Sequence, residues 1–339
     1  MENKRIDYID TLRAFAIFLV TLGHCLDYGG YKDSVLINLI YSFHMPLFIC
    51  ISGFVISYSY ERKSINEGVI SLKRVFCFIY KKFISIMLPY YAWSLFVLPL
   101  FFYTYNGTIN YSKIIESTFI TNLSFWFLPC LFGLSVIYIL YKYITKKVIL
   151  QSSFYSLIYK VLCALMLFAV VVVLYKVSNY DFFRSVINYF IPFAIGVMMS
   201  EFKRINRLVC DNGVTFFISL ISFCLLAGLF NNSSMPSIEK LIRLLCGVLS
   251  IPVFFNFFKH IEFHEKVRGV INYVGRNTLI IYILQFSFVE NLISFQNMNF
   301  LLQLFYFGLI SICLIALILL ISKMLERSNY LRLFLLGRK

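Results

Sequence analysis

Charge is what this sequence has least of. Only 14% of its 339 residues are Asp, Glu, Lys or Arg, while 60% are hydrophobic, and the mean hydropathy is +0.81. A water-facing surface cannot be assembled from that mixture, which excludes an ordinary soluble enzyme of this length. Acid is scarcer than base, with 16 Asp and Glu against 31 Lys and Arg and a net charge of +15. In a soluble chain such an excess would suggest a nucleic-acid partner, but here topology explains it and no nucleic acid is expected. The nine cysteines stand singly, with no Cys-x-x-Cys pair and no His at ligand spacing except His24 beside Cys25, so neither a disulfide framework nor a metal site is expected. There is no P-loop, no G-x-G-x-x-G before a helix and no G-x-S-x-G.

What the chain does have is length of apolar sequence. Runs of roughly 17–25 residues, enough for a helix to cross about 30 Å of hydrocarbon, recur from end to end with short polar gaps. They predict an all-α integral membrane protein of about ten transmembrane helices, with spans near 9–28, 35–60, 84–103, 122–144, 157–176, 187–200, 214–230, 241–258, 278–295 and 301–322. Residues 5–325 are expected to form a single membrane domain and 326–339 a basic cytoplasmic tail. The first span carries Asp10, Arg13 and His24 and lacks a small-x-small exit, so it is expected to be retained rather than cleaved. With the N-terminus inside, only Lys32, Lys113, Lys176, Arg184, Lys240 and Arg243 fall at the outer side and Arg13 lies inside a helix. Every other one of the 31 basic residues then falls on the cytoplasmic side. That bias places both termini in the cytoplasm.

An ionisable group inside a membrane helix costs several kcal/mol unless it meets a partner or a wet cavity, so each one is a functional candidate. The first span concentrates them. Asp10 and Arg13 are three residues apart and share a face; Arg13 and His24 are eleven apart, which returns to within about 20° of the same direction at an axial separation of roughly 16 Å. Asp27 continues the stripe. The bland reading is an interfacial Asp10–Arg13 pair with His24 and Asp27 near the opposite headgroups. His44 on the second span weakens it, because two imidazoles then lie at similar depth, with Pro46 and Gly53 loosening the helix where a cavity would be lined. Histidine can take and return a proton near neutrality, as activation of a hydroxyl requires. Between the second and third spans, Lys73, Arg74, Lys81 and Lys82 could hold phosphate, or could simply meet anionic lipid. Glu290 is the remaining intramembrane carboxylate of interest.

These residues resemble the acyltransferase-3 family of bacterial membrane acyltransferases. Asp10-Thr11-Leu12-Arg13 followed by His24 is similar to the family's Arg-x10-His signature, and Phe43 to Phe48 with Ser52-Gly53-Phe54 to its second-helix motif. Lys81-Lys82 leading to Pro89-Tyr90, Phe125 to Leu128, and Gly275-Arg276-Asn277-Thr278 with Tyr282 carry the rest of the likeness. There are two departures: Ser85 and Ile86 stand where the family often has a further Arg, and Gln285 where it often has a His.

The resemblance implies an O-acetyltransferase that moves acetyl from acetyl-CoA, or another acyl-CoA, to a hydroxyl of a surface polysaccharide or glycolipid at the bacterial cytoplasmic (inner) membrane, with no permanently bound cofactor. On that reading His24 is the base or a transient acyl acceptor and His44 the alternative base. Asp10 orients Arg13, and Arg13, Lys73, Arg74, Lys81 and Lys82 contact the CoA donor. The expected partners are membrane lipid, acyl-CoA and a carbohydrate or lipid-linked glycan, with a homo-oligomer left open. The rival class is a transporter, flippase or export subunit for a glycan, where intramembrane charge is equally expected; no second copy of the Arg-x10-His stripe appears in the later spans. The topology is checked by reporter fusions: those at Ser64, Lys146, Arg204 and Glu265 should report inside and those at Asn110 and Ser233 outside, and an outside report at Ser64 would overturn the ten-span arrangement.

Overall fold

A computed structural model describes residues 6–63, 70–97, 99, 111–116, 118, 125–146, 153–230, 236–289 and 298–338. Among these residues the chain is helical, without strands. The helices are α1 (Asp7–Tyr28), α2 (Val35–Lys63), α3 (Leu72–Val97), α4 (Phe127–Thr145), α5 (Ser153–Ser178), α6 (Asp181–Glu201), α7 (Lys203–Cys210), α8 (Gly213–Leu229), α9 (Pro236–His260), α10 (Glu265–Arg276), α11 (Thr278–Val289), α12 (Phe300–Leu325) and α13 (Asn329–Leu336). Eight are long and apolar enough to cross a membrane, and a ninth crossing arises if α7 and α8, bent by 60° at their junction, count as one span. α11 is apolar but short, and the rest of the ninth expected span, 278–295, lies outside the described residues. The protein is thus an all-α, multi-pass membrane protein.

Burial separates helices that face protein from helices that face lipid. In α1 78% of the apolar window is enclosed, whereas in Ile158–Ser178 of α5 only 11% is. Val161, Leu162, Leu165 and Met166 are exposed along α5, an arrangement stable only where the solvent is hydrocarbon.

The chain divides into two compact units. The first comprises Met1–Val55 and Ala194–Met324, the second Ile56–Phe193 and Leu325–Lys339. In the first unit α1 is central and packs on α9, α10 and α11. Two glycines set how closely backbones approach: a Cβ at Gly275 would overlap the Asp10 carbonyl, and one at Gly196 the Cys50 carbonyl. Such small-residue contacts serve membrane helices well, because apolar side chains gain little by leaving lipid for protein and close van der Waals packing must do more. Pro46 kinks α2, removing one backbone donor, and its ring fills the space beside Gly247 of α9.

In the second unit the segment expected as a cytoplasmic loop before the third span is helix from Leu72, capped by the Ser71 side chain. This helix runs on through two stretches with π-type turns, Phe83–Met87 and Trp93–Val97, on either side of the turn holding Pro89; a proline supplies no N–H to the ladder, which rearranges around it. Lys142, counted in the sequence as a topology-setting cation, is buried and paired with Glu61 at 2.5 Å. The basic C-terminal stretch holds an ordered helix, α13, started by Ser328 and ended by Gly337 in the left-handed region (φ 63°). It packs on α3, where Trp93 Nε1 donates to the Leu335 carbonyl at 3.0 Å.

The glycine contact generates a stability test. Gly275→Ala should destabilise the detergent-solubilised protein by about 1–3 kcal/mol through overpacking against α1. Gly308→Ala on α12, where nothing lies within 4 Å of the new methyl, should be neutral or stabilising by about 0.5–1 kcal/mol through helix propensity. Equal melting temperatures for the two variants would contradict the close approach of α1 and α10.

Candidate functional site

Asp10 sits in the first turn of α1, where a carboxylate also complements the helix dipole, yet it is only 6% exposed. A carboxylate so enclosed needs cationic or hydrogen-bonding partners. It has two cations: Arg13 Nη1 lies 3.5 Å from Oδ1, and Arg276 Nε donates to Oδ2 at 3.2 Å. Arg13 in turn donates through Nη2 to the Thr278 hydroxyl at 3.0 Å. Beside this group Thr11 donates to Asn272 Oδ1 at 3.0 Å, and Asn272 donates to Asp7 at 3.5 Å. The Gly275-Arg276-Asn277-Thr278 turn between α10 and α11 therefore fixes the Arg13 guanidinium from the opposite side to Asp10.

The other end of the stripe is built from α1, α2, α9 and α11. The His24 ring is half-buried and packs on the Phe286 ring, centroids 4.6 Å apart; it carries no hydrogen bond among the described residues. His44 is buried and stacks on Tyr41 at 5.1 Å. Its Nδ1 lies 2.8 Å from the Ile40 carbonyl oxygen, which can only accept, so Nδ1 carries the hydrogen and a neutral ring presents its lone pair on Nε2. Both His24 and Arg243 are close enough to His44 to act on its charge. The Tyr41 hydroxyl donates to the Gly23 carbonyl at 3.3 Å and faces Asp27 and Arg243. Arg243 is held by Glu239 at 3.0 Å and lies over the Phe230 ring at 5.5 Å.

α1 is an unbroken helix from Asp7 to Tyr28, so the separation of roughly 16 Å between Arg13 and His24 read from helix rise stands. α11 runs alongside in the same direction, meeting Arg13 with Thr278 and His24 with Phe286. Gln285, next to Phe286, is fully buried, and neither its amide oxygen nor its amide nitrogen has a hydrogen-bond partner among the described residues. An unsatisfied buried amide costs about 1–3 kcal/mol by protein mutational data.

The structure thus brings Asp10, Arg13, His24 and His44 into one unit on facing helices. Lys73, Arg74, Lys81 and Lys82 lie on α3 in the other unit; Lys73 and Lys81 are exposed, and Lys82 lies over the Phe78 ring at 5.7 Å. Glu290 is outside the described residues. Sequence reasoning had Arg243 as a topological cation only, had Arg276 as a topological cation within the late-helix motif but gave it no site role, and did not single out Tyr41. Their signal was weak, because a cation near a helix end or a tyrosine in an apolar run is ordinary. Among the described residues no group of three or more His, Cys, Asp or Glu could hold a metal ion.

With that geometry in hand, comparison with known proteins is decisive at the family level. The model of the acyltransferase-3 family, described as an acyltransferase domain, matches residues 6–322. The chain belongs to this family. The acyltransferase domain is also similar to nodulation protein NolL of Mesorhizobium japonicum (strain LMG 29417 / CECT 9101 / MAFF 303099), 40% identical over 73 residues, a stretch that covers 20% of this chain and 20% of that relative. No solved structure matches.

The acidic anchor of the acyltransferase domain can be tested by itself. Asp10→Asn removes the charge that both guanidiniums share and should cost about 1.5–3 kcal/mol, as losing hydrogen bonds to a charged group does. Arg276→Gln should cost only about 0–1 kcal/mol, because that side chain is 44% exposed and screened and Asp10 keeps Arg13. Denaturation of both variants in one detergent measures the difference, and equal losses would refute the assignment of Asp10 as the shared anchor.

Proposed function

We propose that this acyltransferase domain is a membrane O-acetyltransferase, taking acetyl from acetyl-CoA and placing it on a hydroxyl of a surface polysaccharide or glycolipid, in a bacterial cytoplasmic membrane with both termini inside. The observation that carries the reading is the arrangement along α1: a clamped guanidinium at Arg13 and an unclamped imidazole at His24, roughly 16 Å apart on one face and bracketed by the same neighbouring helix. A phosphate-bearing head held at one end and a reacting group delivered to the other is what a long, thin thioester donor demands.

On this reading Arg13, held by Asp10 and Thr278, grips the phosphate-bearing part of the donor with its planar fork. His24 accepts the proton of the acceptor hydroxyl as its oxygen attacks the acetyl carbonyl. The tetrahedral intermediate collapses, the carbon–sulfur bond breaks, and the proton passes from His24 to the departing CoA thiolate, leaving an acetyl ester and free CoA. His24 suits this role better than His44 because its ring is less completely buried and carries no hydrogen bond among the described residues, whereas His44 is buried and tethered through Nδ1. His44 and Tyr41, with Arg243 nearby, would then orient the acceptor hydroxyl. Lys73, Arg74, Lys81 and Lys82 remain candidates for further donor phosphate contacts.

The test is acetylation by purified protein carrying single substitutions. His24→Ala should lose on the order of 10²–10⁴-fold in acetyl transfer, the usual contribution of a general base, while reaching the membrane at a normal level. Arg13→Lys keeps the charge, loses the two-pronged hydrogen bond and should also be poorly active. Near-normal activity of His24→Ala would move the base to His44 or Glu290, and dispensability of both histidines would favour the transporter or export reading.

A further inference from the structure

We propose that Gln285 is a donor-binding residue whose side-chain amide pairs with an amide of the pantetheine arm of acetyl-CoA, between Arg13 and His24 and toward the His24 end. The inference rests on the acetyl-CoA reading above and assigns the residue that would read the middle of the donor.

Gln285 lies seven residues beyond Thr278 on α11, which returns it to within about 20° of the same face and sets it roughly 10 Å further along the axis. Thr278 contacts Arg13 on α1, and Phe286, the residue after Gln285, contacts His24 on α1. Gln285 is therefore directed toward α1, at a depth between the two ends of the proposed track. Between Arg13 and His24, α1 offers it little. The sequence from Ala14 to Gly23 holds one polar side chain, Thr21, and that hydroxyl is turned back to the Ile17 carbonyl of its own helix at 3.1 Å. Ile17 and Leu22 on that stretch of α1, and Ile281 one turn before Gln285 on α11, are apolar and buried. A fully enclosed carboxamide with both its oxygen and its nitrogen unpartnered among the described residues calls for a ligand group that donates and accepts at once.

A secondary amide has that character. The pantetheine arm carries two of them in an otherwise apolar chain, between the phosphate-bearing head and the thiol that holds the acyl group. Bound from Arg13 to His24, the arm would lay its amides against the stretch where Gln285 lies. The Gln285 N–H would donate to the arm's carbonyl and the Gln285 oxygen would accept from the arm's N–H. An acyl donor with a purely hydrocarbon arm would leave the carboxamide unpaired and would be rejected.

The experiment compares wild-type protein with Gln285→Leu, reconstituted in lipid nanodiscs, using two donors: acetyl-CoA, and an acetyl-CoA analogue whose pantetheine amides are replaced by esters of the same length. Gln285→Leu should raise the KM for acetyl-CoA about five- to tenfold, as expected for one or two lost hydrogen bonds, with kcat within about threefold because the contact is formed before the transition state. The ester analogue keeps the carbonyl acceptor and loses the N–H donor, so it should show a raised KM with the wild type and a smaller further rise with the variant than acetyl-CoA shows. The variant's melting temperature should be unchanged or higher, since an unpaired polar group has been removed, whereas a purely structural glutamine would give a lower one. An unchanged KM for acetyl-CoA in a wild-type background that uses acetyl-CoA normally would overturn the inference and leave the reading intact. So would an equal rise in KM for both donors. Failure of the unsubstituted protein to consume acetyl-CoA would overturn the reading and the inference with it.

Discussion

Hydrocarbon supplies no hydrogen bonds, so each polar group that α1 carries into the membrane must be matched by a neighbouring helix or by something bound there. Asp10 states the condition most sharply. Its carboxylate is enclosed, and Arg13 from its own helix and Arg276 from the turn after α10 close around it. The second guanidinium can arrive only because Gly275 lets the backbone of α10 meet that of α1. Once that contact is made, the direction of α11 follows, and Thr278 and Phe286 come to rest against Arg13 and His24. One ion cluster thereby sets the register of three helices.

The second unit meets the same constraint without any of the stripe residues. Glu61 satisfies Lys142, whose burial would otherwise penalise its charge, and the Lys142 ammonium also lies over the Tyr138 and Tyr141 rings at 5.8 and 5.9 Å, contacts that help a desolvated cation. Around Pro89 the helix keeps its course by taking up π-type turns instead of breaking. α13, a basic stretch by sequence, is tied down by backbone acceptance from Trp93. In each case a polar or irregular element is tolerated because a specific neighbour completes it.

Two groups near the stripe stand outside this matching. His24 has an aromatic neighbour but no hydrogen bond, and Gln285 has no polar partner, both among the described residues. Asp10, Thr11, Arg13, Thr21 and Tyr41 are matched by neighbours, and on the proposed reading His24 and Gln285 are the groups of this region left for a donor. Acyl transfer fits that pattern, since its donor brings phosphates, amides and a thioester in a fixed linear order.

Hydropathy alone determined that the chain lies in a membrane and where most of its helices run, because the length of an apolar run and the thickness of a bilayer are both fixed quantities. Helical periodicity alone put Asp10, Arg13 and His24 on one face at the spacing the structure keeps. The family was legible in the same residues, as Arg13 with His24 and His44 with Pro46 form a pattern of ordered spacing. What the sequence left open was every contact between distant segments. It could not tell that Arg276 completes the Asp10 cluster, that Thr278 fixes Arg13, that Arg243 and Tyr41 surround His44, or that Lys142 is buried, since residues such as Asp10 and Arg276, 266 positions apart, meet only when helices pack. Only the tertiary structure decided which polar groups are matched and which stay open, because a hydrogen bond is a property of two positions in space and a sequence gives the position of neither.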